Sequence, residues 1–251
     1  MPPAKKALVA GRLHRRLRRT LGMDGFGTYC TYLHDWLPAE LTHLIDAITT
    51  NKTDFFREAA HFEVLTHHVV PALMAEGIGV QRPLRVWSAG CSSGPEPYTL
   101  AMVLSDYAAR HPMAFHITGT DVCTEVLETA RAGIYPEAMV DPIPLPLRKR
   151  YLLRSRDPGA ALVRIAPEVR DAVTFRPLNF MDSVYDLPER QDVIFCRNVI
   201  IYFDHERQQR VLERLCRTLH PGGFLFMGHA ETLTDFTLPL HPVAPMVYRK
   251  T

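Results

Sequence analysis

The spacing of apolar residues divides the chain into two regimes. From about Lys5 to Thr20, Val9, Leu13 and Leu17 recur every fourth residue, which predicts a helix with one apolar stripe and leaves Arg12, Arg15, Arg16 and Arg19 on a basic face. Turn signals at Gly22, Gly25 and Gly27 end it, and two further helical patterns follow, Tyr29–Trp36 and Ala39–Ile48. The start of the chain therefore reads as a small helical bundle. The stretch TTNKTDFFREAAHF, Thr49–Phe62, is poor helix interior but good cap chemistry, and a run from Glu58 to Leu73 is helical by period. From Leu84 onward short apolar runs alternate with amphipathic ones. Strands are expected at Leu84–Trp87, Phe115–Thr120, Val173–Pro177, Asp192–Cys196 and Gly223–Met227, the last after a turn at His220-Pro221-Gly222. Helices are expected at Thr124–Ala132 and His205–Leu219. Such alternation implies a mainly parallel sheet covered by helices on both faces, a doubly wound α/β fold. Residues 141–168 depart from it: Pro142, Pro144 and Pro146 precede short β-like runs at Tyr151–Leu153 and Ala161–Ile165, a small β insertion.

The stretch LRVWSAGCSSGPEPY, Leu84–Tyr98, is a strand emptying into a loop of small residues and then a helix, the cofactor corner of such a fold. It is neither GxxxxGK[ST] nor a clean GxGxxG, which argues against a phosphate or dinucleotide ligand. Glu96 at the helix start would repel a pyrophosphate but can hold a cation, and S-adenosylmethionine carries a sulfonium and an ammonium. Ligands of open α/β sheets bind beyond the carboxyl ends of the strands, so Gly90, Asp121, Asn179 and Asn198 are expected to converge on one crevice, with Asp121 placed to accept ribose hydroxyls.

Composition narrows the class. The chain has 251 residues, 47% of them apolar and 22% charged, as a soluble globular protein does. No apolar run approaches the roughly 20 residues of a membrane span. The opening MPPAKKALVAGRLHRRLRR has arginines where an export signal is apolar, so a cytoplasmic protein is expected. Cys30, Cys91, Cys123, Cys196 and Cys216 form no CxxC pair and no regular spacing with histidines, so neither disulfides nor a metal site is expected. Seven of the 29 basic residues precede the first acid, Asp24, leaving 22 against 27 acids, a basic arm on a mildly acidic body.

Five motifs in order, TTNKTDFFRE (Thr49–Glu58), VWSAGCSSGPEPY (Val86–Tyr98), GTDVCTEVLETARAGIY (Gly119–Tyr135), FCRNVIIYFD (Phe195–Asp204) and HPGGFLFMGHAE (His220–Glu231), resemble the CheR family over nearly the whole chain. Its members are S-adenosylmethionine-dependent methyltransferases that esterify glutamates of bacterial chemoreceptors. The resemblance implies a class I methyltransferase fold, with a helical domain over 1–49 and a methyltransferase domain over 50–251. It implies cofactor contacts at Asn51, Thr53, Arg57, Gly90, Glu96, Asp121, Asn179, Phe180, Arg197 and Asn198, with Arg57 and Tyr202 beside the transferred methyl group. It also implies that Arg12, Arg15, Arg16 and Arg19 meet the acidic methylation region of the receptor's helical bundle, and that the protein works as a monomer without entering the membrane. Relatives that dock on a receptor's terminal pentapeptide look glycine-rich where this chain has Ser155-Arg156-Asp157, so no such tether is expected.

A nucleic-acid methyltransferase is the main rival, because a basic arm can track phosphates. Amine-methylating enzymes of that class typically carry Asn/Asp-Pro-Pro-aromatic after the fourth strand, where this chain has Arg197-Asn198-Val199-Ile200-Ile201-Tyr202, and the body is acidic. A cofactor-sensing module without transferase activity is the other alternative.

Overall fold

The computed structural model describes residues 3–251, with the side chains of 3–5, 8, 15, 19, 38, 39 and 158 outside the description. Helix α1 (Pro3–Arg16) runs on through one wide turn, Leu17–Leu21, and packs with α2 (Phe26–Asp35) and α3 (Leu37–Ile48). Leu13, Leu17 and Tyr29 form the centre of a small core of their own, flanked by Val9, Phe26, Leu44 and Ile48. The arginines of α1 do not all face outward. Arg16 donates to Glu40 from Nε (2.6 Å) and Nη2 (2.5 Å), and the Tyr29 hydroxyl donates to the same carboxylate at 2.8 Å. Glu40 is 2% exposed, and the Arg16 fork holds its carboxyl below the usual range. Arg12 caps the far end of the bundle, donating to the carbonyls of Ile48 (2.5 Å) and Thr49 (2.7 Å) and to Thr50 Oγ1 (3.0 Å). Two residues of the expected receptor-facing set, Arg12 and Arg16, are therefore internal fasteners, because a helix in a small bundle has few faces and these two look onto α3. The side chains of Arg15 and Arg19 lie outside the described residues.

The main sheet has seven strands. β1 (Leu84–Ala89), β2 (Phe115–Asp121), β6 (Val173–Pro177), β7 (Gln191–Cys196) and β8 (Leu219–Met227) are parallel, and β9 (Leu240–Ala244) and β10 (Val247–Lys250) close one edge antiparallel, in the order β6-β2-β1-β7-β8-β10-β9. The chain winds outward from β1 in both directions, so the order reverses between β1 and β7, and the ligand crevice of a doubly wound sheet opens there. Period-two alternation sorts the strands onto two cores: Val86, Ile117, Phe195 and Phe226 face one, and Trp87, Ile194, Cys196 and Met227 the other. The first is covered by α6 (Pro95–Ala108) and by a broken helix of α4 (Ala60–Val64), a wide turn Leu65–Val69 and α5 (Val70–Ala75). The second is covered by α10 (His205–Thr218).

Two expectations shift. The helix foreseen from Glu58 starts at Ala60 and widens just before Pro71, whose ring and missing N–H interrupt the regular ladder. His220-Pro221-Gly222 is no free turn but lies in β8, beside a bulge in its pairing with β7. The pair β9–β10 was not foreseen, since Pro242 and the exposed, mixed composition of β9 carry no strand signal.

The small sheet consists of β3 (Ile134–Pro136), β4 (Leu152–Arg154) and β5 (Leu162–Ile165), all antiparallel in the order β3-β5-β4, with α8 (Leu145–Tyr151) before β4 and α9 (Pro167–Arg170) after β5. It thus draws its first strand from residues upstream of the proline cluster. Pro144 and Pro146 open α8, where a missing N–H costs nothing.

One polar contact seats the bundle on the sheet. Asp46 of α3 accepts from the Thr124 backbone N–H (2.8 Å) and hydroxyl (2.9 Å), capping α7 (Thr124–Ala132) from another element.

Because Arg16 neutralises a buried carboxylate, its removal strands that charge. Arg16→Ala is expected to lower unfolding free energy by about 3 kcal/mol, and exposed Arg18→Ala to stay within about 0.5 kcal/mol, in urea titrations. Equal small effects for both would show that the Glu40 pair carries no weight.

Candidate active site

The loop after β1 folds back onto the end of β2. The N–H groups of Gly90 and Cys91 both donate to Thr120 O at 2.8 Å, and the Ser92 N–H donates to Asp121 Oδ2 at 2.8 Å. Asp121 Oδ1 accepts from Cys123 N–H at 2.9 Å. Burial pushes the Asp121 carboxyl up, and these backbone donors oppose that by favouring the charged form. Each oxygen spends one lone pair on the backbone and retains another, as an acceptor for vicinal hydroxyls requires. Gly90 has φ +80°, and a Cβ there would stand 2.6 Å from Val199 Cγ2 and 3.7 Å from Phe180 Cε2. The glycine is thus demanded by backbone conformation and by the fit of Val199, so bulk at Gly90 would disturb the fold as well as the crevice.

Residues 49–58 lie across this corner. Ser92 Oγ donates to Asn51 O at 2.9 Å, and Asn51 Nδ2 reaches Cys123 Sγ at 3.4 Å. Thr53 is half-buried. Phe55 is fully buried edge-on against Tyr135, and Phe56 N–H donates to Thr99 Oγ1 at 3.2 Å. Phe56 and Glu58 both sit at positive φ, 54° and 55°, so the segment is held in a conformation that non-glycine residues rarely adopt. The Arg57 carbonyl accepts from Arg197 Nη1 at 2.7 Å, whereas the Arg57 guanidinium has, among the described residues, only a 3.5 Å contact to Lys52 O.

Glu96 and Arg197, both expected at the cofactor, are paired with each other. Glu96 accepts from Ser88 Oγ (2.6 Å) and from Arg197 Nε (2.7 Å), one bond on each carboxylate oxygen. Arg197 is 7% exposed, with its guanidinium over the rings of Phe62 and Phe195. The pair joins the start of α6 to the end of β7. A helix-start glutamate and a strand-end arginine each look ligand-facing in sequence, and their mutual pairing is visible only once β1 and β7 are adjacent.

Asn198 has φ +60° and Nδ2 3.5 Å from Glu58 Oε1. Its conformation is set by Glu231, which no sequence reading singled out. That carboxylate accepts from the N–H groups of Asn198 (2.6 Å), Val199 (2.7 Å), Ile200 (2.9 Å) and Gly228 (2.8 Å). The only signal was its place in the motif HPGGFLFMGHAE, an acid just past a strand end. At Gly228 a Cβ would lie 2.6 Å from Asn198 Nδ2, so the two loops touch. Asn179 is exposed, with Oδ1 accepting from Met181 N–H at 2.9 Å, and Phe180 is buried between Trp87 and Tyr185. Tyr202 is 53% exposed and, with Met181, Ile201 and Phe203, lines an open cleft of about 420 Å³.

The structure therefore gathers Asn51, Gly90, Asp121 and Cys123 on one wall, Asn198 and Val199 on the other with the Phe180 edge nearby, and Tyr202 outside. A ribose acceptor and a glycine corner with no lysine in the loop suit a nucleoside whose far end is not a phosphate.

Residues 51–245 match the family described as CheR methyltransferase, SAM binding domain, and residues 1–49 match CheR methyltransferase, all-alpha domain. The chain is 39% identical over 245 residues to chemotaxis protein methyltransferase 2 of Pseudomonas aeruginosa, covering 98% of this chain and 85% of that one. It is 41% identical over 231 residues to the chemotaxis protein methyltransferase of Escherichia coli (92% and 78% covered), and 36% identical over 250 residues to that of Borreliella burgdorferi (98% and 87%). The chain belongs to the CheR family and is an S-adenosylmethionine-dependent methyltransferase.

Proposed function

We propose that this enzyme esterifies specific glutamate side chains in the cytoplasmic helical bundle of a chemoreceptor, acting from the cytoplasm as a single chain. The observation that carries the reading is Arg57: its backbone is held by Arg197 while its guanidinium has, among the described residues, only a 3.5 Å contact to Lys52 O, so a planar fork is available at the edge of the crevice. Asp121 and Asn51 would hold the nucleoside end of the cofactor, with Gly90 leaving the approach open and Phe180 closing the side. S-adenosylmethionine, when bound, supplies an electrophilic methyl group on a sulfonium. The glutamate nucleophile is a carboxylate at neutral pH, with a reference pKa of about 4.3, so no general base is required of the protein. The residues orient it: Arg57 through its fork, and the exposed Tyr202 beside an open cleft lined by Met181, Ile201, Phe203, Asp204 and Arg207. Positioning of this kind can contribute roughly 7–11 kcal/mol.

Receptor docking through α1 falls to exposed Lys6 and Arg18 rather than to Arg12 and Arg16, which are engaged within the bundle. Docking on a receptor tail is not needed in this reading, since the loop at Ser155-Arg156-Asp157 satisfies its own polar groups: Asp157 N–H donates to Ser155 Oγ and Asp157 Oδ1 accepts from Gly159 N–H. Micromolar binding of a tail pentapeptide that disappears in Arg156→Ala would reverse this.

Transfer of labelled methyl groups to receptor-containing membranes tests the assignment. Asp121→Ala is expected to weaken cofactor binding, and Arg57→Lys, which keeps the charge but loses the fork, to reduce turnover roughly a hundredfold. The label should be released by alkali, as an ester is; an alkali-stable product would exclude carboxyl methylation.

The pH dependence follows from His61, whose imidazole is lowered to about 4, first by burial and then by the nearby Arg197 charge. The unfolded chain takes up this proton near 6.5 and the native one does not until about 4, so stability falls as pH drops through that window, by at most about 1.4 kcal/mol per pH unit. His61→Gln should flatten that slope. The pH profile of kcat/KM should show no limb near 6.5; a limb there that His61→Gln removes would make His61 an acid–base group of the reaction.

A further inference from the structure

Beside Arg197, three potential ligand side chains converge that the methyl transfer does not use. Glu58, His61 and His229 each offer a ligand atom, and these atoms lie within 4.8 Å of one another. Glu58 and His61 belong to the segment entering α4, and His229 follows β8, so 171 residues separate the outer pair and no sequence spacing could announce the set. His61 is 2% exposed, and its Nε2 is buried without a hydrogen-bond partner; Glu58 Oε2 is likewise buried and unpartnered.

The surroundings of Glu58 are loose in a specific way. Oε1 has Asn198 Nδ2 at 3.5 Å and His229 N–H at 3.4 Å, and Oε2 has His61 Nδ1 at 3.4 Å and Arg197 Nη1 at 3.5 Å. Every neighbour stands at the outer limit of a hydrogen bond, whereas Arg197 pairs with Glu96 at 2.7 Å. Arg197 is therefore one cation facing two carboxylates, Glu96 closely and Glu58 loosely, and its Nη1 also lies 3.2 Å from His61 Nδ1.

We propose that Glu58, His61 and His229 form a binding site for a divalent transition cation of the zinc type. Two imidazoles and a carboxylate are a ligand set that zinc accepts while keeping a position open. A cation here supplies the charge that Glu58 lacks and a partner for buried atoms that have none. Exposed His229 provides the route of entry. The guanidinium of Arg197 opposes the incoming charge and weakens the affinity. Glu58 also reaches Asn198, and Arg197 also holds the Arg57 carbonyl, so occupancy bears on both walls of the crevice.

The test is calorimetric titration of the untagged, EDTA-treated full chain with zinc chloride, without cofactor, alongside cobalt(II) titration followed by visible absorption. A single zinc ion per chain is expected. His229→Ala, at an exposed position and checked for unchanged circular dichroism, should weaken binding by at least about tenfold and remove the cobalt absorption. Glu58→Gln should do the same, and Cys30→Ser, at the exposed thiol, should change neither. Failure to take up zinc, uptake indifferent to His229→Ala, or uptake lost in Cys30→Ser would each overturn the site.

Discussion

The guanidinium of Arg197, buried at the point where the strand order reverses, is the contact on which the other parts of the site are assembled. It pairs with Glu96 at the start of α6, donates to the Arg57 carbonyl, touches His61 and lies over Phe62 and Phe195. One side chain thereby joins β7, the helix after the β1 loop and the segment that crosses the crevice. A buried ion pair is a poor source of net stability, because desolvation offsets most of its attraction. Its value here is geometric. The fork has fixed directions, so the height of the 49–58 segment above the sheet is set by where Glu96 and Arg197 meet.

Glu231 plays the corresponding part on the opposite wall. Four backbone N–H groups converge on one carboxylate, and three of them come from the consecutive residues Asn198, Val199 and Ile200. Three successive amides can point at one acceptor only if the chain turns sharply, and Asn198 accordingly sits at φ +60°. Burial pushes the Glu231 carboxyl up, and the same amides resist that, so the loop and the charge stabilise each other. The Asn198 side chain is aimed by this turn, and the width of the crevice is fixed by Val199 lying against Gly90.

The sequence was most legible where one residue's environment is made by its near neighbours. The strands β1, β2, β6 and β7 and the helices α7 and α10 follow from period and caps, and Asp121 and Gly90 follow from a strand, a loop and the rule that ligands sit beyond strand ends. Legibility failed where two distant charges meet. Arg12 and Arg16 read as a basic face because composition cannot show that Glu40 and the end of α3 lie opposite. The pairing of Glu96 with Arg197 was hidden for the same reason, since the two partners stand about a hundred residues apart. Glu58, His61 and His229 escaped notice because their spacing resembles no metal motif.

The fasteners at the domain junction give the helical bundle a part in the site that docking alone would not require. Arg12 of α1 binds the carbonyls of Ile48 and Thr49 and the hydroxyl of Thr50, the residues directly before Asn51. Asp46 of α3 caps α7 at Thr124, three residues past Asp121, and Asn51 itself reaches Cys123 between them. The path from α1 to Asp121 therefore runs through polar contacts between residues 46–51 and residues 121–124. Arg12, Asp46 and Asn51 thus tie the helical bundle to the loop after β2, and the hydrogen bonds that engage Arg12 within the bundle are part of that tie.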